Sequence, residues 1–327
     1  MPICGKGRSS PSREDCRPCC TGRGEAALTT SDIPQSDNPV KRSLGRIRQL
    51  LPEKWRHPAP LVAVLPLSGT IGTGSRFSSS LNMTKLDKQI ESAFALKGAK
   101  AVALVINSPG GSPAQSHLIM RRIRALAAEK KLPVFAFVED VAASGGYMIA
   151  CAADEIIADP ASILGSIGVV SASFGFDKLI EKIGVERRVY TAGRSKTLLD
   201  PFRPEKPEDV ERLAALQREI HDMFIALVKE RRAGKLKGEE ELLFSGEFWL
   251  APRAIELGLA DAVGDVRSTM RERFGEKVRF KTIVEPRGLL GRRLGLGARL
   301  SAAESEQMTE GVLAALEGRA IRARFGL

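Results

Sequence analysis

The sequence predicts an α/β fold in which strands and helices alternate. The first observation is a set of continuous apolar runs of strand length, typical of strands that are buried on both faces of a parallel sheet. These runs lie at 61–67, 101–106 and 134–138. The second observation is that helical patterns separate the runs, as right-handed strand–helix–strand units require.

The first half of the folded region contains two glycine-rich turns, each between a strand and a helix. Apolar residues at helical spacing follow the first strand and predict a helix over 87–96. The second strand leads through the turn 107–112 into a helix that ends near 131. The third strand leads through 141–147 into a helix of small residues that ends near 153.

The second half continues the alternation of strands and helices. In chain order, the patterns predict a strand at 155–158, a glycine-rich run at 164–170, a helix at 176–183, a strand at 185–190, a long amphipathic helix at 208–232 and a smaller α/β closing segment through 263. No repeat of fixed period interrupts this order.

Composition divides the 327 residues into three parts. Residues 1–58 are rich in Ser, Pro, Gly and charge, which predicts a disordered basic leader with one candidate amphipathic helix at 42–51. Residues 59–285 form the predicted folded domain, and 286–327 form a C-terminal tail. Most of the net charge of +11 lies in the leader and the tail. The basic residues rarely alternate with aromatic residues, so no nucleic-acid partner is predicted.

The cysteines and the apolar profile bear on metal binding and location. Four of the five cysteines crowd the leader without a second pair or a nearby histidine, so no metal site is predicted; they are Cys4, Cys16, Cys19 and Cys20. No window approaches the ~20 apolar residues of a membrane-spanning helix, and the N-terminus has no apolar signal core. We therefore expect a cytoplasmic protein, with peripheral contact between the basic leader and a membrane left open.

Ser144 is the candidate nucleophile. It stands directly before Gly145 and Gly146, where a buried strand is predicted to pass into a helix. Unpaired amides and the helix dipole favour developing negative charge at such a position, which suits a nucleophile. A serine that merely caps the helix is the alternative, and without other information it is far commoner.

The second glycine turn favours the catalytic interpretation. Gly110 and Gly111 also follow a strand and open a helix, and glycines let backbone amides approach a substrate carbonyl closely. We therefore expect Gly110 or Gly111 to form an oxyanion hole together with Gly145. Each such donor lowers the reaction barrier by roughly 3 kcal/mol.

A serine nucleophile needs a base, and the histidines are badly placed for that role. No histidine lies between Ser144 and His221, and we expect His117 and His221 to be surface or packing residues. Lysine remains, and Lys196 follows a predicted strand in a turn beside apolar residues that would desolvate it, namely Leu198, Leu199 and Phe202. To act as a base its pKa has to fall by about three units from ~10.4.

A set of motifs then stands in a specific order and spacing. The motifs are Asn-Ser-Pro-Gly-Gly at 107–111, Ala-Ala-Ser-Gly-Gly-Tyr at 142–147, Gly-Ser-Ile-Gly-Val at 165–169, Gly-Arg-Ser-Lys at 193–196 with Asp-Pro-Phe-Arg-Pro at 200–204, and Ala-Ile-Glu-Leu-Gly-Leu-Ala-Asp at 254–261. Over about 62–263 the chain thus resembles peptidase family S49, which comprises signal peptide peptidase A and its SohB-like relatives.

The resemblance implies a fold related to ClpP and the crotonases. It implies that Ser144 is acylated, that Lys196 accepts and returns the proton, and that Ser166 assists by holding the lysine amine. It also implies a homo-oligomer whose active sites lie at subunit contacts, and short apolar peptides as substrates, including signal-peptide remnants. No cofactor is implied.

Two other functions stay open from the sequence. A crotonase-like acyl-CoA enzyme also builds an oxyanion hole from glycine-turn amides, but it would not need Ser144 and Lys196 together. A catalytically silent ring would organise membrane or peptide partners without chemistry, although Ser144, Lys196 and Ser166 are all present.

Overall fold

The computed structural model describes residues 59–72, 80–193 and 196–284. The predicted leader with its helix at 42–51 and the predicted tail at 286–327 lie outside the described residues. Within those residues, no helix has the length and apolar character needed to cross a membrane.

Strands and helices alternate along the described chain. The elements up to residue 165 are β1 (Leu61–Ser68), α1 (Met83–Phe94), β2 (Ala99–Ser108), α2 (Pro113–Lys130), β3 (Val134–Ala143), α3 (Gly145–Ala150), β4 (Glu155–Ala158) and β5 (Ile163–Gly165). The later elements are α4 (Asp177–Lys182), α5 (Pro207–Arg231), α6 (Glu240–Leu243), β6 (Phe248–Leu250), α7 (Ala251–Glu256), β7 (Ala262–Val263), α8 (Val266–Phe274) and β8 (Arg279–Thr282).

The strands form one sheet with the order β6-β5-β3-β2-β1-β8, and β4 and β7 extend from β3 as a branch. All pairs are parallel except β5 with β6. The branch exists because the first half of β3 pairs with β4, whereas its last residues, from Val141 to Ala143, pair with β5. The predicted α/β fold class is confirmed by this arrangement.

Helices cover both faces of the sheet, which explains why its central strands are continuous apolar runs. On one face, α1 and α2 bury Ile90, Phe94 and Ile123 against the sheet. On the other face, α8 places Met270 against side chains that include Phe137. Alternate residues of β1 to β3 therefore enter different hydrophobic clusters, and an apolar side chain is required at nearly every position.

Capping residues explain two helix boundaries. The side chain of Asn82 accepts a hydrogen bond from the Lys85 amide at 3.0 Å, so α1 begins four residues before the predicted start at 87. α2 begins at Pro113 after the cap residue Ser112, as the turn 107–112 predicted.

The predicted strand at 185–190 is wrong. The structure has no strand there, and Val185 and Tyr190 are 52% and 90% exposed. The segment has β-forming residues, but no sheet edge pairs with it, and backbone pairing is what stabilises a strand.

Candidate active site

Ser144 occupies the sharp turn between β3 and α3. Its backbone lies at φ 52° and ψ −122°, a left-handed conformation that costs a non-glycine residue about 1–3 kcal/mol. Its side chain makes no capping hydrogen bond with α3. The interpretation of Ser144 as an ordinary helix cap is therefore excluded, since a cap serine adopts extended backbone angles and accepts from the helix amides.

The two glycine turns meet at Ser144. Register pairs Ser108 with Ala142, so the turns that follow β2 and β3 leave the sheet side by side. A Cβ atom on Gly110 would lie 2.7 Å from the Gly145 nitrogen and 2.9 Å from the Ser144 Cβ. Contact this close is available only because Gly110 has no side chain.

Gly111 and Gly145 offer backbone amides beside Ser144. Among the described residues the Gly111 amide has no acceptor, and the Gly145 amide, as the first of α3, has no acceptor within the helix. A Cβ atom on Gly145 would lie 3.4 Å from the Gly111 nitrogen, which shows that the two amides are neighbours. The Gly110 amide instead donates to Ser108 Oγ at 3.2 Å.

Close packing under α3 fixes this geometry. A Cβ atom on Gly145 would lie 2.3 Å from Ser116 Oγ, and one on Gly146 would lie 2.3 Å from the Ser108 carbonyl oxygen. The first turn of α3 thus rests directly on α2 and on the end of β2. Any larger residue at these two glycines would lift the helix and displace Ser144.

The structure also brings Ser166 next to Ser144. Ala143 pairs with Gly165 across β3 and β5, and the Ser144 amide donates to the Gly165 carbonyl at 2.9 Å. Ser166 follows directly, at φ 51°, and its amide donates to the Glu247 carbonyl at 2.6 Å. Two serines in left-handed conformation therefore stand at the ends of adjacent strands.

No hydrogen bond joins Lys196 to Ser144 within the chain. Lys196 lies in a turn, and its side chain is exposed and forms no hydrogen bond or ion pair with any described residue. The expected desolvation of the amine by Leu198, Leu199 and Phe202 is therefore absent in a single chain. The strand predicted before the turn is also missing, as reported above.

Lys196 belongs to a segment that we call the lysine arm, the described residues of 169–206. The arm packs on itself: the Phe176 amide donates to the Pro201 carbonyl at 2.6 Å, and the rings of Phe176 and Phe202 lie 5.6 Å apart. It nevertheless leaves many apolar side chains exposed. These are Val170, Phe174, Phe176, Leu179, Ile183, Val185, Tyr190 and Phe202.

Two arginines hold the end of α3 opposite Ser144, and we call Arg124 and Arg231 the arginine cap. Arg231 Nε donates to the Cys151 carbonyl at 2.8 Å and its Nη2 donates to the Ala153 carbonyl at 3.1 Å. Arg124 Nη1 donates to the Ala152 carbonyl at 3.1 Å. Cations at a helix C-terminus are favourable because they meet its unpaired carbonyl oxygens.

A buried polar cluster holds α3 in place through Tyr147. The Tyr147 hydroxyl donates to the Leu259 carbonyl at 2.8 Å, and burial raises its pKa well above the ordinary value. Arg232, 2% exposed, forms an ion pair with Asp261 at 2.7 Å. Burial alone would raise the pKa of Asp261, but hydrogen bonds from Arg232 and Lys235 outweigh it and lower that pKa.

Sequence reasoning missed the arginine cap and the roles of Tyr147 and Asp261. Both of the latter stand within the motifs at 142–147 and 254–261, so the signal was present, but no spacing rule connects residues more than a hundred positions apart. Arg124 and Arg231 belong to none of the motifs.

The two histidines of the described residues make different contacts. His221 Nε2 lies 3.0 Å from the Ile167 carbonyl oxygen, so this nitrogen carries the proton and holds the segment after Ser166. His117, on α2, is half-buried and lines a cavity between α2 and α5. No group of three potential metal-binding side chains exists among the described residues.

A serine at a strained strand-to-helix turn, beside free backbone amides on an α/β fold, is typical of serine hydrolases. The model of peptidase family S49 matches residues 126–277 of this chain. A putative protease of Synechocystis sp. is 30% identical over 256 residues, which cover 76% of this chain and 88% of the relative. The chain belongs to peptidase family S49. The predicted family, a family of peptidases, is thereby confirmed.

Other similarities cover parts of longer proteins or are remote. The chain is 56% identical over 289 residues to a protein of Brucella abortus named Na(+)/H(+) antiporter NhaA, and the match covers 86% of this chain. The chain spans 39% of the length of that relative. The solved structure of the 1510-N membrane-bound stomatin-specific protease is similar with a TM-score of 0.43 and 17% identity, over 70% of this chain and all of the other.

Proposed function

We propose that the chain is a serine endopeptidase in which Ser144 is the nucleophile and Lys196 of a neighbouring chain is the general base. The observation that carries this proposal is the strained Ser144, whose side chain caps nothing and stands beside the Gly111 and Gly145 amides. Family membership supports peptide hydrolysis over the acyl-CoA chemistry and the silent ring.

The proposed reaction has two halves, the acylation of Ser144 and the hydrolysis of the acyl-enzyme, and both use the same groups. The neutral Lys196 amine takes the proton of Ser144 as Oγ attacks the peptide carbonyl carbon. The carbonyl oxygen gains the charge and accepts hydrogen bonds from Gly111 and Gly145, each of which contributes roughly 3 kcal/mol. The ammonium then protonates the leaving amine, and water repeats the sequence to release the acyl group.

Ser166 is the proposed assistant of the base. Its position directly after Gly165, the residue that accepts from the Ser144 amide, supports a hydroxyl placed beside the nucleophile. A hydrogen bond between this hydroxyl and the lysine amine would orient the amine. Gly110, whose amide already donates to Ser108, would shape the oxyanion hole without donating to it.

A homo-oligomer is the proposed working state. A lysine that acts as a base has to be desolvated so that its amine is neutral, and the Lys196 side chain is exposed in a single chain. The exposed apolar side chains of the lysine arm support subunit contact, because burying them against a neighbour would also desolvate Lys196.

The proposed substrates are short apolar peptides such as signal-peptide remnants. This part rests on the motifs shared with family S49. Cleavage of a series of labelled peptides that differ only in apolar content tests it, since equal rates on fully polar peptides would contradict it. Ion transport is not proposed, because the chain spans only 39% of the antiporter-named relative.

We infer a cytoplasmic location, and the basic residues before 58 are the candidate contact with anionic lipid. Fractionation of cells that express the full chain tests this inference. Release by high salt would support electrostatic attachment, since salt screens such contacts. Recovery only with detergent would contradict it.

Substitution of the two proposed catalytic residues tests the mechanism. Ser144→Ala and Lys196→Ala should each abolish cleavage of a fluorogenic peptide, whereas the matched control Lys182→Ala, at an exposed position of the same arm, should remain active. Size-exclusion chromatography should show the same assembly for all variants. Full activity of Lys196→Ala would refute the dyad, and full activity of Ser144→Ala would refute the nucleophile.

Mixing the two inactive variants tests whether the dyad is shared between chains. If Ser144 and Lys196 come from different chains, random assembly of equal amounts restores roughly a quarter of the dyads. If both come from one chain, every dyad remains broken and no activity returns. The mixture is co-refolded so that subunits exchange before the assay.

A further inference from the structure

A cavity of about 490 Å³ lies between α2 and α5, where the arginine cap holds the end of α3. Ligand sites usually have volumes of about 300–1,000 Å³, so this cavity has room for a small ligand. Its polar wall contains His117, Arg121, Arg124, Glu230 and Arg231. Neither the sequence motifs nor the proposed mechanism uses this cavity.

The cavity wall holds unused hydrogen-bond donors. A guanidinium group has five N–H donors. Arg231 uses Nε and Nη2 on carbonyl oxygens, and Arg124 uses Nη1 on the Ala152 carbonyl and on Asp154. Within 59–72, 80–193 and 196–284, Arg231 Nη1, Arg124 Nε and Nη2, and the entire Arg121 guanidinium have no acceptor.

The side chains around the cavity carry one more positive charge than negative charges. Three guanidinium groups, of Arg121, Arg124 and Arg231, face two carboxylates, those of Glu230 and Asp154. Burial lowers the pKa of Arg231, and repulsion from Arg124 lowers it further. A ligand with a single negative charge would therefore balance the wall and accept from the unused donors.

The rest of the wall is apolar. Met120 and Leu227 are 6% and 7% exposed, and Met223 packs against the same hydrophobic core. Methionine side chains adapt to apolar groups of irregular shape. A strongly hydrated inorganic anion would leave this surface uncovered, whereas a carboxylate attached to an apolar group would fill both parts.

We propose that this cavity binds a carboxylate attached to an apolar group, as found at the C-terminus of an apolar peptide. The proposal deepens the proposed function, on which the source of the ligand rests, because hydrolysis of apolar peptides releases such carboxylates. The ligand would contact the same Arg124 and Arg231 that hold α3, the helix that begins at Ser144. Product bound in the cavity would thus contact the two arginines that hold the helix beginning at Ser144.

Isothermal titration of the full chain with N-acetyl-leucine tests the proposal. N-acetyl-leucinamide is the matched ligand without charge, and octanoate is a carboxylate with no peptide group. N-acetyl-leucine should bind and the amide should not. Tighter binding of N-acetyl-leucine than octanoate assigns the site to peptide C-termini, and the reverse order assigns it to fatty acids. Equal binding of acid and amide overturns the proposal.

Arg121→Gln should weaken binding of N-acetyl-leucine by about tenfold, because it removes charged donors without touching α3. Arg122→Gln is the control on the same helix: it removes the same charge, but Arg122 pairs with Asp87 and Glu91 away from the cavity. Equal weakening by both variants overturns the site. Thermal melting reports whether each variant is folded.

The titration is carried out on protein whose Ser144 has been blocked with a fluorophosphonate, or on Ser144→Ala, so that the active site does not contribute. The outcome is independent of cleavage. If peptide hydrolysis survives Ser144→Ala, the proposed function fails while the binding result stands. If hydrolysis depends on Ser144 but the acid does not bind, the inference about the cavity alone is overturned.

Discussion

Gly110→Ala isolates the contact between the two glycine turns. The new methyl group would lie 2.7 Å from the Gly145 nitrogen, 2.8 Å from the Ala143 carbonyl oxygen and 2.9 Å from the Ser144 Cβ. Favourable contacts between such atoms begin at about 3.5 Å, so the methyl pushes Ser144 and Gly145 away by roughly half an ångström or more. This displacement separates the nucleophile from the amide of Gly111.

The size of the effect follows from the displacement. A misplacement of about 1 Å costs up to roughly a hundredfold in rate, so we expect Gly110→Ala to lower kcat/KM by about tenfold to a hundredfold. The matched control is Gly98→Ala. Gly98 also has a positive φ, of 80°, but a Cβ atom there meets nothing within 4 Å. Both variants therefore lose about 1–2 kcal/mol through backbone strain, and only one displaces Ser144.

The assay combines peptide cleavage with labelling of Ser144 by a fluorophosphonate, both below the melting temperature of the less stable variant. Gly98→Ala should cleave and label at the wild-type rate. Gly110→Ala should be slow in both. If a folded Gly110→Ala protein cleaves as fast as Gly98→Ala, the glycine turn does not position the nucleophile, and the reasoning from close contact is refuted.

Three further outcomes are expected. Asp261→Asn should destabilise the protein at pH 7 by about 3–5 kcal/mol because it leaves Arg232 buried without its partner. The lowered pKa of Asp261 implies a contribution that is full above the ordinary aspartate range and lost as pH falls through the folded-state pKa, so melting curves of the two proteins should converge in acid. Tyr147→Phe should cost about 1–3 kcal/mol in urea unfolding, since the Leu259 carbonyl loses its buried donor. Burial raises the pKa of Cys151 to about 12, so with the four leader cysteines replaced by serine the native protein should resist thiol reagents that react after unfolding; rapid native labelling would contradict its burial.

The central sheet was predictable because its chemistry is local. Strands covered on both faces need apolar residues, so β1, β2 and β3 appear in the sequence as runs of Val, Ile, Leu, Ala and Phe. The glycine turns were predictable for a similar reason, since a position where a Cβ atom would overlap a neighbouring backbone admits no other residue. Gly111 is such a position, with the Ile71 oxygen 2.0 Å from the would-be Cβ.

The remaining features depend on distant contacts. The segment 185–190 has the composition of a strand, but none of the described strands pairs with it. The arginine cap joins Arg124 of α2 and Arg231 of α5 to carbonyls of the segment after α3, and no periodicity relates these positions. The proposed surroundings of Lys196 in an assembly are equally inaccessible to sequence patterns, because they would belong to a neighbouring chain.

One helix relates the two ends of the proposed mechanism. α5 begins directly after the lysine arm, at Pro207. Its buried residues all lie in its C-terminal third; they are Phe224, Leu227 and Val228. It ends at Arg231, which donates to the carbonyls behind Ser144. If the lysine arm is buried in an assembly, the contact also reaches the exposed start of α5. The other end of α5 holds α3 through Arg231. Arg231→Gln should then slow fluorophosphonate labelling of Ser144 more than Arg253→Gln, which removes an exposed ion pair with Glu256 at the surface; equal labelling rates would show that the grip does not position the nucleophile.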